Sequence, residues 1–226
     1  SKVIGMRNER NDAFWMAEAL ALAKRGVGFT SPNPAVGAIV VRDEVEIGGG
    51  WHRKCGGPHA EIEAFRSLPD PELARGATLY VTLEPCSTFG RTPPCCDAIL
   101  RHGVKRVVVG CADPNPKHAG RGLDLLRSHG VETLCGVLED ECRALNEPFF
   151  HWIVEKKPFV LLKMAPTLDG SLATASGDAK WIASEAARAR VQTLRLAADA
   201  MLCGKDTWLL DHPRLTARAP DGTVLK

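Results

Sequence analysis

The sequence predicts an α/β protein: a first domain with a mostly parallel sheet covered by helices on both faces, then the start of a second α/β domain. Three observations carry this. Short β-branched runs alternate with segments of helical spacing through the first two thirds of the chain. The two helical segments after the third strand close on glycine, the usual helix stop. The stretch "EKKPF", residues 155 to 159, then breaks the pattern before a new apolar run, "VLLKMA".

In order, "NDAFWMAEALALAKRG" predicts a helix with Asn11 or Asp12 as cap and Gly26 as stop. "AVGAIVV" predicts a strand, "RDEVEIGGGWH" a turn and a second strand, and "PHAEIEAFRSL" a helix. "ATLYVTL" returns to strand, followed by helix "PPCCDAILRHG", strand "VKRVVVGC", helix "GRGLDLLRSHG" and strand "VETLCGV". A single helix is expected around "EDECRALNEPFF". The expected domains are 1–154 and 155–226. In the second, "VLLKMA" and "DAMLCG" are expected as strands and "SEAARARVQTLRLA" as a helix capped by Ser184. Two strands and a helix or two are too little to close an α/β domain of ordinary size, so this domain is expected to be incomplete.

The 226 residues are 45% hydrophobic and 25% charged, with 29 basic against 27 acidic side chains, which is the composition of a soluble globular protein. Nothing in that balance calls for nucleic acid. No apolar run is long enough to cross a bilayer, and "SKVIGMRNER" is polar where a signal peptide is apolar, so a cytoplasmic address is expected. The eight cysteines are then expected to be reduced, buried or metal-bound rather than paired.

Cys86 and Cys95 occupy strand-to-helix turns, and His59 stands at a helix start behind Pro58. Ligands of a parallel α/β sheet gather outside the carboxyl ends of its strands, and helix-start N–H groups favour thiolates. One imidazole and two thiolates converging there suit a catalytic Zn2+ site with a fourth position left for water. Residues two apart on a helix point about 200° apart, so Glu61 can join His59 only at the helix mouth. There its carboxylate serves as general base, the more needed because two thiolates offset the metal's charge. Glu63 is read as a surface carboxylate, Glu84 as a loop-orienting one, and Trp51 and Trp152 as packing residues. Cys55, Cys111, Cys135, Cys142 and Cys203 are read as core or surface residues, and His102, His118, His129, His151 and His212 as structural or solvated, with "NPKHAGRG" able to bring His118 near a substrate.

"HAE", then "PC" and a second cysteine, resembles the zinc-dependent cytidine and deoxycytidylate deaminase superfamily. Where that superfamily usually has two residues between its cysteines, eight intervene here, and "PCSTFGRTPPC" with "NPAVGAIVV", "GWH" and "DPNPKHAGRG" resembles its riboflavin-biosynthesis branch. "KMAPTLDGSLA", "WIAS" and "GKDTWLLDHPRLT" resemble the start of the partner reductase domain of the bifunctional members.

The resemblance implies a three-layer cytidine-deaminase-like domain followed by a dihydrofolate-reductase-like one. It implies that His59, Cys86 and Cys95 hold zinc and that Glu61 moves protons. The implied substrate is a small phosphorylated pyrimidine, 2,5-diamino-6-ribosylamino-4(3H)-pyrimidinone 5′-phosphate, contacted by Asn33, His52 and Arg91. Thr88 stands where relatives usually have histidine, and a hydroxyl carries no charge to a phosphate. For the reductase the resemblance implies NADPH against Ala165, Trp181, Thr207 and Asp211, and substrate against Ala179, Arg195, Leu215 and Arg218. It further implies a homodimer. The glycine-rich stretch that cradles the cofactor phosphates falls late in such reductases and is absent before Lys226, so a working reductase site is not expected from these residues alone. Two other functions fit the same site residues: a deaminase acting on tRNA adenosine, and a zinc-stabilised binding module in which Cys96 closes the metal's coordination.

Overall fold

The computed structural model describes residues 11–89, 93–116, 118–179 and 181–226, which form two compact units, one ending at Phe159 and the other beginning at Val160. The division falls after "EKKPF", whereas the expectation from sequence was a boundary at 154/155; the last helix of the first unit runs through Glu155.

The first unit is a five-stranded sheet between two helical layers. Helix α1 (Asp12–Lys24) starts where the Asn11 side chain accepts the backbone N–H of Phe14 at 3.0 Å, satisfying one of the unpaired donors of the first turn. Strands β1 (Gly37–Arg42) and β2 (Val45–Trp51) form a hairpin around Asp43 and Glu44, both at positive φ as a two-residue turn between twisted strands demands. Helix α2 (Ala60–Arg66), β3 (Thr78–Leu83), α3 (Cys95–Arg101), β4 (Arg106–Cys111), α4 (Arg121–Ser128) and β5 (Glu132–Cys135) follow in alternation.

The strand order is β2-β1-β3-β4-β5. β1 is antiparallel to both neighbours, and β3, β4 and β5 are parallel to one another. Four of the five strands therefore point the same way, and the predicted mostly parallel sheet holds with β1 reversed. The hairpin is what reverses it, because a two-residue connection can join only antiparallel strands.

Period-two alternation divides the core. Val40, Leu79, Val81, Val107 and Val109 pack against α2, α3 and α4 through Ala64, Phe65, Ile99 and Leu126. Ile39, Val41, Tyr80 and Val108 face α1 and the last helices through Trp15, Met16, Cys142 and Phe150. α2 lies directly on β2: a Cβ on Gly50 would stand 2.4 Å from the Ala64 nitrogen, so only glycine lets the helix approach this closely.

The region expected as one helix is two, α5 (Glu139–Leu145) and α6 (Glu147–Glu155). Pro148 has no N–H to continue the first, and Asn146 between them turns inward. Its side chain receives the Ala35 N–H and donates to the Ala35 carbonyl, both at 2.8 Å, as a strand neighbour would. Asn146→Ala leaves both buried groups unsatisfied and is expected to cost about 2–4 kcal/mol, read as a lower unfolding temperature.

Asp12 fastens α1 to the sheet. It accepts two bonds from the Arg106 guanidinium, at 2.7 and 2.9 Å, and one from the Tyr80 hydroxyl at 2.8 Å. The Arg106 bonds, against the pull of burial, hold its carboxyl below the usual range. A depressed folded pKa gives stability that is present above the ordinary carboxylate range and lost as pH falls through the folded value. The Asp12→Asn protein is therefore expected to melt below wild type at neutral pH, with the gap closing under acid, in melts taken across pH.

In the second unit, α7 (Glu185–Ala197) is capped by Ser184, which accepts the Ala187 N–H at 3.2 Å, and α8 (Lys205–Asp211) follows. The strands expected at "VLLKMA" and "DAMLCG" are not formed. Val160, Leu162 and Leu202 are largely exposed, and among the described residues of this unit the only strand pairing is an isolated bridge, Arg218 to Val224. A β-prone run becomes a strand only when a neighbour takes its N–H and C=O groups, and none does so here.

Candidate metal and proton-transfer site

The three expected metal ligands meet. His59 stands at the cap position of α2, Cys86 just past β3 and Cys95 at the first position of α3, and their ligand atoms all lie within 4.8 Å of one another. Their donor chemistry fits a borderline-soft ion such as zinc: one imidazole nitrogen and two sulfurs, leaving a tetrahedral position open. His59 Nδ1 is 3.2 Å from the Cys95 sulfur and 3.6 Å from the Cys86 sulfur, so it is Nδ1 that faces the ligand cluster.

The electrostatics favour a thiolate at Cys86. The Cys95 thiol donates to its sulfur, the Cys95 backbone N–H does so at 3.2 Å, and His59 adds to both; together they overcome burial and pull the thiol well down. The same shared proton, with burial, pushes Cys95 up. His59 is held above its ordinary range chiefly by its bond to Cys86. Glu61 is 3% exposed, and its carboxyl is raised first by burial and then by the Cys86 charge. A buried carboxyl beside the ligands, held toward its protonated form, is suited to accept and return a proton.

His52 and Asn33 form one unit. His52 Nδ1 is 2.8 Å from the Pro58 carbonyl, which can only accept, so this nitrogen carries the hydrogen. Nε2 is then free to accept from Asn33 Nδ2 at 3.2 Å. Burial holds His52 below the ordinary histidine range, and neutral His52 thus aims the Asn33 amide. Both residues line a cavity of about 270 Å³ with His59, Glu61 and Cys86. Arg91 lies outside the described residues, and Thr88 is exposed.

The remaining readings can be placed. Cys96 is fully buried, points its sulfur at the Pro85 and Gly122 carbonyls at 3.6 and 3.7 Å, and has its thiol pushed up to about 12 by burial. It belongs to the core rather than to the ligand set. Glu63 is half-buried and receives Arg53 at 2.9 Å and Arg66 at 3.2 Å. Trp51 lies between two guanidinium groups, Arg25 at 5.0 Å and Arg53 at 4.1 Å.

Sequence reasoning found one wall of the cavity only in part. Asp113 and Asn115, with His118, come from the loop after β4. The stretch "DPNPKHAGRG" pointed to His118 as able to come near a substrate, but nothing in it singled out Asp113 or Asn115.

In the second unit, Arg195 and Leu215 line one small hollow, and Arg195 Nη1 donates to the Thr216 carbonyl at 3.2 Å. Arg218 donates its backbone N–H to Gln192 and its side chain to the Gly222 carbonyl, both at 3.0 Å. Thr207 and Asp211 lie one turn apart on exposed α8, Ala179 is exposed, Ala165 is half-buried, and Trp181 carries the Arg188 guanidinium 4.5 Å over its ring.

A layered sheet with His59, Cys86 and Cys95 at one mouth defines the cytidine and deoxycytidylate deaminase class, and the family description "Cytidine and deoxycytidylate deaminase zinc-binding region" matches residues 9–111. A second description, "RibD C-terminal domain", matches residues 158–224. "Riboflavin biosynthesis protein RibD" of Aquifex aeolicus is 52% identical over 207 residues, covering 92% of this chain and 58% of that protein. The Escherichia coli protein of the same name is 47% identical, covering 92% and 56%. A solved structure from Thermotoga maritima, described as a diaminohydroxyphosphoribosylaminopyrimidine deaminase and 5-amino-6-(5-phosphoribosylamino)uracil reductase, superposes with a TM-score of 0.87 at 46% identity, covering 94% of this chain and 61% of that one. Acinetobacter baumannii RibD gives 0.85 at 46% identity, covering 95% and 60%. Over nearly its whole length the chain is similar to RibD proteins, and it spans under two thirds of the length of these relatives.

Proposed function

We propose that the first unit is a zinc-dependent deaminase of riboflavin biosynthesis, acting on 2,5-diamino-6-ribosylamino-4(3H)-pyrimidinone 5′-phosphate. The observation that carries this is the buried Glu61 carboxyl beside a converged His59, Cys86 and Cys95 on one cavity wall. When bound, zinc supplies an acidified water at neutral pH.

The chain's own residues do the rest. His59, Cys86 and Cys95 hold the ion. Glu61 would take one proton from the attacking water and pass it to the ring nitrogen, then take the second from the new hydroxyl and pass it to the departing amine, so that ammonia leaves as the carbonyl forms. His52 fixes the Asn33 amide, which is placed to hydrogen-bond the ring or its ribose, and Arg91 is assigned the phosphate. Apolar groups such as Pro34, Val36 and Phe149 line the same cavity and exclude water from the ring.

The second unit is proposed as part of a reductase that draws hydride from NADPH, with Ala165, Trp181, Thr207 and Asp211 toward the cofactor and Ala179, Arg195, Leu215 and Arg218 toward the substrate. A small-molecule substrate, a homodimer, a cytoplasmic address and the absence of nucleic-acid or membrane partners complete the proposal. Among the described residues no helix is long and apolar enough to cross a membrane.

The test is ammonia release by zinc-loaded protein from the pyrimidine substrate, alongside a tRNA anticodon-loop oligonucleotide. Release from the first alone is expected; release from the oligonucleotide alone would replace this substrate with an RNA one.

A further inference from the structure

Glu84 is a buried carboxylate that the proposed chemistry does not use. It follows β3 directly, and it is 6% exposed. No arginine or lysine pairs with it among the hydrogen bonds of the described residues; backbone N–H groups surround it instead. Oε2 accepts from Asp113 at 3.1 Å and Gly120 at 3.0 Å, and Oε1 accepts from Gly122 at 2.9 Å and Leu123 at 3.4 Å. Its own N–H bonds the Cys111 carbonyl at 2.9 Å, fixing its backbone to the end of β4.

Two of those donors, Gly122 and Leu123, belong to the first turn of α4, whose cap residue, Gly120, has no side chain to serve them. Glu84 therefore caps α4 from another element, where a negative charge also suits the helix dipole. The other two donors bracket the loop that carries Asp113, Asn115 and His118 into the cavity. Gly122 admits this arrangement because a Cβ there would stand 2.2 Å from the Pro85 carbonyl. One carboxylate thus ties the strand end before Cys86 to the opposite cavity wall.

We infer that Glu84 is a positioning residue for substrate affinity: it lines the same cavity, but both its oxygens are taken by backbone N–H groups, and through them it holds the wall of Asp113, Asn115 and His118 at the distance that bound substrate needs. This rests on the proposed deaminase reading for its kinetic readout and on the geometry alone for its structural one. Asp113, Asn115 and His118 share the cavity with His59 and Cys86 but stand outside the cluster of ligand atoms, so displacement of their wall is expected to loosen ground state and transition state alike. Such a loss raises KM and leaves kcat nearly unchanged.

The experiment compares Glu84→Gln with wild type in full chain length. Glutamine has the same shape, but whichever way its amide turns, two of the four N–H groups then face another donor. Expected are a KM for the pyrimidine substrate raised about tenfold with kcat changed less than about twofold, at unchanged zinc content, the size of one lost polar contact. In wild type without substrate, amide hydrogen exchange at Asp113 and Gly120 is expected to be slow for a loop, and in Glu84→Gln fast.

An unchanged KM, or a fall in kcat alone, overturns the inference. So does fast exchange at both amides in wild type, a measurement that stands even where the variant fails to fold. If wild type releases no ammonia, the deaminase reading has failed, and the exchange result decides the wall-holding role by itself.

Discussion

Glu61→Gln is expected to lower the rate of ammonia release by about a thousandfold, the scale of a lost general acid–base, while zinc content stays at wild-type level. Glutamine fills the same space and keeps a hydrogen bond, but it cannot take a proton at neutral pH. Glu61 is buried and pays for that burial with a raised carboxyl pKa, so the neutral replacement is also expected to unfold at the same temperature as wild type or a higher one. Parallel steady-state kinetics, metal analysis and thermal melts check this. Retained activity would remove Glu61 from the mechanism, and lost zinc would make it a ligand.

The second large effect is expected from the cysteines. Cys95→Ser replaces an ionisable sulfur with a hydroxyl that does not ionise at neutral pH, so zinc is expected to fall from about one per chain to near zero after dialysis against a mild chelator, with activity lost alongside. Cys86→Ser is expected to behave alike. Cys96→Ser is the informative neighbour: its sulfur is bonded to the Pro85 and Gly122 carbonyls, so zinc and activity are expected to persist. Loss of zinc in Cys96→Ser would mean a closed four-ligand site and would favour a structural metal without turnover.

The cluster of His59, Cys86 and Cys95 was legible because its information is local. Each of His59, Cys86 and Cys95 stands beside a helix-start or strand-end signal, so chain pattern and chemistry coincide. The alternation of strands and helices likewise announced the layers. What stayed hidden was long-range pairing. Asn146 meets Ala35 across 111 positions, and nothing near either residue marks the other. Glu84 reads locally as part of "LEPC", and the sequence assigned it to orienting a loop; that the loop is the one after β4 follows only from how β3 and β4 end side by side. The unformed strands at "VLLKMA" and "DAMLCG" fail in the opposite sense: their local β preference is plain, but a strand is a relation between segments rather than a property of one.

The glycine seat of α2 has a consequence for how this protein can change. The helix that carries His59 and Glu61 rests on backbone at Gly50 rather than on side chains, so its height above the sheet cannot be tuned in small steps: any replacement adds at least a methyl group at 2.4 Å from the Ala64 nitrogen. On the proposed deaminase reading, a change of substrate is therefore expected to leave this helix in place and to act through the other cavity walls, around Asp113, Asn115 and His118 and around Asn33. The seat of the helix would then fix the place of the chemistry, and the loops around it would set what is admitted.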